Sequence, residues 1–240
     1  MPSKVRLYTA VTGAADPHVL AALRLHLNAE ERERADKIRQ PGAAFDFAAA
    51  HALLRHALRS DYANPAPEFE LGAFGKPRLL AGGLRFSITH TRGLVACAIC
   101  QIGDIGVDAE PAGPVADALL IARNHFAQAE QELLAAAPTG TQNRDFLKIW
   151  TLKEAVIKAT GLGLQLDSGS FEVGLDPPQL LRAGPELQPL RQWALALCAH
   201  EAGFQLALAL RATPPADLIV ERVEVTVADL AGGAGDSIKT

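Results

Sequence analysis

Residues 146–160, Phe-Leu-Lys-Ile-Trp-Thr-Leu-Lys-Glu-Ala-Val-Ile-Lys-Ala-Thr, are the stretch that most constrains what this chain can become. Wound as a helix, they set Trp150, Glu154 and Lys158 at i, i+4 and i+8 along one face. Ile157 falls beside that stripe and Lys153 turns away from it. A carboxylate and an ammonium one turn apart are, on this helix alone, an ordinary surface pair worth ~0.2–0.5 kcal/mol. A second segment changes the odds. Residues 105–110, Ile-Gly-Val-Asp-Ala-Glu, read as a strand whose Asp108 and Glu110 alternate onto one face. Three carboxylates and a lysine, on two elements able to meet, suit a hard cation that holds a phosphate.

The 240 residues suffice for one large domain or two smaller ones with a buried core. A net charge of −4 gives no basic face for nucleic acid. No apolar run is long enough to span a membrane, and the first residues lack the apolar core of a signal peptide. Cys97 and Cys100 match C-x-x-C only as a string. In the strand expected over 94–100 they face opposite sides, so they and Cys198 read as buried thiols of a cytoplasmic protein.

In chain order, a strand is expected at 5–10 and a helix at 17–27. Asn28 and Glu31 have capping-box spacing and open a charged helix over 29–38. An alanine-rich helix follows over 43–62, closed by Pro65 and Pro67. Strands are expected at 84–89, 94–101 and 105–109. Past Pro111 and Pro114 come helices at 115–126 and 128–137, a turn at 138–140, and the Trp150 helix, which Gly161 and Gly163 stop. Strand-like alternation returns at 171–175, 190–197, 204–210 and 219–227. Both halves thus run helices first and strands after, and 94–100 and 204–210 look like corresponding strands. The expected division is an N-terminal lobe at 1–104, a C-terminal lobe at 105–230 and a flexible tail at 231–240.

Taken together, Gly106-Val-Asp108-Ala-Glu110 and Trp150-Thr-Leu-Lys153-Glu154-Ala-Val-Ile-Lys158 resemble the two signature motifs of the 4′-phosphopantetheinyl transferases of the larger, two-lobed Sfp-like type. Gly75-Lys76-Pro77, the run from Phe86 to His90 with Gly93, and Phe126 with Glu130 also match. The resemblance spans about residues 28–173. It implies an α+β fold, a pseudo-dimer of two similar lobes with the active site in the cleft between them. It also implies a reaction: the 4′-phosphopantetheine of coenzyme A moves to a serine of an acyl or peptidyl carrier protein, releasing adenosine 3′,5′-bisphosphate. On this reading Asp108, Glu110 and Glu154 hold Mg²⁺, which offsets charge on the pyrophosphate. Glu154 is the base for the carrier serine, and Lys158 stabilises the departing phosphate. Lys76, His90, Lys153 and Arg34, with Lys158, are expected to contact the nucleotide or carrier, and Trp150 to pack the helix against its sheet. Bland alternatives stand beside these: a strand end capped by Asp108 and Glu110, a solvated Lys158, a structural His90, and a Gly-Lys-Pro turn that needs no ligand. The active unit is expected to be a monomer. The rival function is a non-catalytic relative that only binds a carrier protein or coenzyme A; the intact Asp108, Glu110, Glu154 and Lys158 speak against it.

The chain also departs from the family. The long helix there carries arginines in a pattern like R-F-x-x-A-R-x-x-L-R that helps hold the 3′-phosphate of the nucleotide. Residues 46–55 here have Asp46 and His51 at two of those positions, and only Arg55 fits. Glu31 likewise falls where a lysine is common. Weak use of the 3′-phosphate is therefore expected, unless His90, Lys76 or Arg34 takes over.

Overall fold

In the computed structural model, which describes residues 3–232, the chain passes twice through one succession of elements. The first pass is β1 (Ser3–Val11), α1 (Pro17–Arg24), α2 (Ala29–Lys37), α3 (Pro41–Tyr62), a small hairpin β2 (Phe69–Leu71) and β3 (Pro77–Leu79), then β4 (Arg85–Thr91) and β5 (Leu94–Cys100). The second is β6 (Gly103–Pro111), α4 (Ala118–His125), α5 (Gln128–Ala136), α6 (Thr139–Thr160), a hairpin β7 (Glu172–Leu175) and β8 (Pro178–Arg182), then β9 (Trp193–His200) and β10 (Phe204–Ala212). The sheets repeat too. The strand order β1-β5-β4 in one is matched by β6-β10-β9 in the other, with antiparallel neighbours throughout. The third helix of each pass has 22 residues and lies on its own sheet. The architecture is α+β, two similar lobes.

The chain then crosses back. β11 (Leu218–Glu224) pairs parallel with β1, and α7 (Val227–Gly232) buries Leu230 in the first lobe's core. The stretch grouped by sequence with the second lobe up to residue 230 is therefore divided in space. Ala231 and Gly232 close α7, and residues 233–240 of the expected tail lie outside the described residues.

Local chemistry sets the element ends. Asn28 and Glu31 form the expected reciprocal capping box at the start of α2. Asp16 accepts from the amides of His18 and Val19 to cap α1, which ends at Arg24 rather than residue 27. The turn expected at 138–140 is instead the start of α6: Pro138 is its cap, and Thr139 and Gly140 are already helical. Residues 190–192 make a 3₁₀ turn, so the strand expected from 190 begins at Trp193.

Strand alternation builds four layers. In β1, Tyr8 and Ala10 face α1, α3 and α7, whereas Val5 and Leu7 face the other sheet. In β5, Val95, Cys97 and Ile99 take the helix side, and Leu94, Ala96, Ala98 and Cys100 the sheet side. The second lobe mirrors this. Ile105, Val107, Leu206, Leu208 and Leu210 fill the space between the sheets, while Ala207 and Ala209 lie under α6. Each such leucine removed from water contributes about 1.5–3 kcal/mol. Cys97 and Cys100 do face opposite sides as buried free thiols. Small residues let α6 sit low on its sheet. A Cβ on Gly106 would fall 1.9 Å from the carbonyl oxygen of Ala155, so only glycine fits there.

Candidate functional site

The two lobes also meet along β4 and β6, strands that belong to different sheets and share no backbone ladder. Alternating hydroxyls of β4 join them instead. The amide of Val107 donates to Ser87 Oγ at 3.1 Å, Thr89 Oγ1 donates to Asp108 Oδ1 at 3.2 Å, and Thr91 Oγ1 to Glu110 Oε2 at 3.4 Å. Alternation along β6 puts Asp108 and Glu110 on the face away from the inter-sheet core.

Helix α6 packs across that face. Its Lys158 Nζ donates to Asp108 Oδ1 at 2.6 Å and to Thr89 Oγ1 at 2.9 Å. The stripe expected from helical periodicity is present: Trp150, Glu154, Ile157 and Lys158 line a cavity of about 680 Å³. Phe74, Pro77, Phe86 and Ile88 of the first lobe form its facing wall, and Leu164, Leu166 and Ser168 extend the wall beyond α6. Trp150 stacks on Phe146 at 5.9 Å, so its role is packing as much as lining. A second cavity, of about 510 Å³, opens near the start of α3 between Gln40, Asp46, His90, Thr91 and Arg92. Asp108 and Glu110 are not wall residues of either cavity. They sit on the seam between them, tied to the first through Lys158 and to the second through Thr91.

The electrostatics of the seam are those of crowded acids. Burial and the Asp108 charge push the carboxyls of Glu110 and Glu154 above their ordinary value. Asp108 is 5% exposed, and its second oxygen, Oδ2, is buried with no hydrogen-bond partner among the described residues. Among the described residues, no three His, Cys, Asp or Glu side chains close round one point as a metal cage would. The donors at the seam are carboxylate oxygens, and among the described residues one of them, Asp108 Oδ2, is buried and unsatisfied. That chemistry fits a hard divalent cation that takes its remaining ligands from a phosphate substrate.

Several expected contacts go elsewhere. Lys153, expected to touch nucleotide or carrier, is 1% exposed and buried inside the second lobe. It pairs with Glu130 at 2.8 Å, donates to the carbonyls of Ser168 and Phe171, and lies over the Phe171 ring at 4.4 Å. Glu130, in the first turn of α5, already accepts from the amides of Ala127 and Val173, so the ion pair staples α5, α6 and β7 together. Lys76 lines the large cavity as expected, but its ammonium donates to Ile105 O at 2.9 Å and Ala159 O at 3.0 Å, and burial brings it down to about 8. Arg34 is exposed on α2 and lines neither cavity. His90 lines the second cavity, with its ring edge-on to Phe47 at 6.0 Å.

The residues standing in for the family's arginines are also spoken for. Glu31 accepts from Arg55 at 2.7 Å and lies 2.9 Å from His51 Nδ1. Arg55 in turn packs over Phe69 at 4.9 Å. Asp46 is buried, accepts a hydrogen bond from Thr12 Oγ1, and has its carboxyl pushed up by burial. What sequence reasoning missed was the Ser87, Thr89, Thr91 row as an interlobe joint; its signal, a hydroxyl at every second residue, was visible in the strand.

The sequence of this chain is similar to those of known proteins. Residues 104–209, which contain β6 and α6, match the family model described as the 4′-phosphopantetheinyl transferase superfamily. Over 177 residues the chain is 32% identical to the 4′-phosphopantetheinyl transferase HetI of Nostoc sp., covering 70% of this chain and 72% of that protein. It is 30% identical over 149 residues to the 4′-phosphopantetheinyl transferase psf-1 of Bacillus pumilus, covering 61% of this chain and 63% of the relative. Among solved structures, the holo-acyl-carrier-protein synthase of Thermotoga maritima aligns with a TM-score of 0.39 at 20% identity, over 46% of this chain and 64% of that one. By sequence, this chain belongs to the 4′-phosphopantetheinyl transferase superfamily.

Proposed function

We propose that this protein transfers the 4′-phosphopantetheine group of coenzyme A to a serine hydroxyl of an acyl or peptidyl carrier protein, with adenosine 3′,5′-bisphosphate as the other product. The observation that carries the reading is the junction of Lys158, Asp108 and Thr89 at the seam, with Glu154 in the wall of an adjoining large cavity. Asp108, Glu110 and Glu154 are the groups that would hold Mg²⁺. When bound, the ion supplies charge neutralisation for the pyrophosphate. Glu154, on the wall of the large cavity one turn from Lys158, is placed to take the proton of the serine hydroxyl, directly or through a water. Lys158, freed from Asp108 by an arriving phosphate oxygen, is placed to stabilise the leaving bisphosphate.

The working unit in this proposal is a monomer in the cytoplasm, where buried free thiols persist. Among the described residues, no helix is long and apolar enough to cross a membrane. Because Arg55, His51 and Asp46 are all engaged within the protein, we expect similar kcat/KM for coenzyme A and dephospho-coenzyme A. Strong preference for coenzyme A would refute that part.

The test is direct. The protein is incubated with coenzyme A, Mg²⁺ and apo-carriers from fatty-acid, polyketide and peptide synthases, and each carrier is weighed intact. Gain of one phosphopantetheine group is expected on at least one. Binding of a carrier with no gain on any would favour the non-catalytic alternative.

A further inference from the structure

Lys76 closes the turn between β2 and β3, in the first lobe, yet its ammonium bonds only to backbone of the second. One acceptor, Ile105 O, is in β6, three residues before Asp108. The other, Ala159 O, is in the last turn of α6, next to Lys158. Carbonyls of a helix's final turn lack intrahelical partners and favour a cation, so the Ala159 contact is a cap supplied across the lobe boundary. The lysine itself is held at both ends. Its carbonyl accepts from the amide of Gly72 at 2.9 Å, and Pro77 follows it directly. Its stem runs over Gly161, the left-handed residue that ends α6, where a Cβ would lie 3.1 Å from Lys76 Cδ.

Between β6 and α6 the backbones already meet directly at Gly106, one residue from Ile105. Gly106 brings no side chain to the contact, and the facing atoms are the backbone of Ala155 and Ala159. From this arrangement we propose that Lys76 is a positioning residue: one ammonium, presented by the first lobe, ties β6 at Ile105 to the last turn of α6 beside the Gly106 contact, and so holds the register of the Lys158–Asp108 contact. The clamp stands on geometry alone; its effect on turnover rests on the transferase reading. The role differs from a nucleotide contact, which the exposed part of the same turn could still make through its backbone.

Two measurements on Lys76→Met separate these possibilities, with Lys37→Met, a surface residue paired to Glu33, as the control. The first is hydrogen–deuterium exchange. Faster exchange is expected in β6 near Ile105 and in the last turn of α6, and no such change in the control. The second is steady-state transfer. Since an ångström of misplacement costs up to about a hundredfold in rate, kcat should fall roughly ten- to a hundredfold while KM for coenzyme A moves by less than about threefold. A raised KM with unchanged kcat would make Lys76 a ligand contact, and unaltered exchange would remove the clamp; either overturns the proposal. Should Lys76→Met not fold, Lys76→Arg, which keeps the charge and two donors, must show slower exchange at both segments than a Lys76→Gln variant. If the unmodified chain transfers nothing to any carrier, the transferase reading fails, and exchange alone decides the clamp.

Discussion

The two oxygens of Asp108 are in opposite states. Oδ1 accepts from Lys158 and Thr89, whereas Oδ2 is buried and unpaired among the described residues. Leaving a buried acceptor without a donor costs about 1–3 kcal/mol, and more when it is charged, so a cation brought to this oxygen would offset that cost. Glu154, one turn from Lys158, shares the cost through its raised carboxyl. Asp108→Ala and Glu154→Ala are each expected to lower transfer by at least about a hundredfold, as loss of a charge-stabilising group at a reacting phosphate does. Their circular dichroism should stay native, because Lys158 is 30% exposed at its side chain and can be solvated once its partner is gone. Near-normal turnover by either variant at saturating Mg²⁺ would end the metal assignment.

At the scale of elements, two contacts decide the layout. The first is the approach of α6 to β6 over Gly106. A methyl there meets the Ala155 carbonyl at 1.9 Å and the Ala159 amide at 2.6 Å, and neither backbone atom can move without shifting the helix. Gly106→Ala should therefore destabilise by about 1–3 kcal/mol or more, as overpacking does, and reduce transfer beyond what the lost stability explains. Urea unfolding with kcat measured on the same preparation checks both. The second contact is Glu31, which closes the capping box of α2 and pairs with His51 and Arg55 of α3. Burial alone would raise its carboxyl, but the close approach of His51 Nδ1 and the pairing with Arg55 outweigh that and bring it to about 2. A depressed carboxylate adds stability that is full above its ordinary value near 4.5 and is lost as pH falls toward 2. Roughly 1–3 kcal/mol is at stake. Glu31→Gln should lower stability near neutral pH and flatten its decline between those two values. A decline as steep as that of the unmodified chain would disprove the assignment.

At the scale of the molecule, the repeat lets one chain supply both sides of the cavity. Each lobe alone would leave one sheet face bare; facing each other, they bury Val5, Leu7, Leu94, Ile105, Val107 and Leu206 in a shared layer. The return of β11 and α7 to the first lobe fastens the pair further. The site needs both lobes, with β4 and the Phe74 loop from one and β6 and α6 from the other. Activity is accordingly expected to track a monomer, and light scattering beside a dilution series of the transfer assay tests it. Specific activity that vanishes on dilution into the monomeric range would show that a second chain is required.

Periodicity is a local property, and what depends on it could be read from the chain. The stripe of Trp150, Glu154 and Lys158 follows from 3.6 residues per turn, and the shared face of Asp108 and Glu110 from the alternation of a strand. The capping box at Asn28, the helix stop at Gly161 and the doubled order of elements are of the same kind. Where a long side chain ends is not local. Lys76, Lys153 and Lys158 look alike in sequence, each inside a motif, yet one bridges the lobes, one is sealed against Glu130 and Phe171, and one meets Asp108 at the cavity. An ammonium on four methylenes reaches any acceptor within several ångströms, and which acceptors lie there is set by what packs alongside. The same holds for Glu31: in sequence it replaces a basic residue, and only the packing of α2 against α3 supplies the His51 and Arg55 that neutralise it. The crossing of β11 to the first sheet is decided the same way, because the open edge of β1 is a place in space and not in the chain.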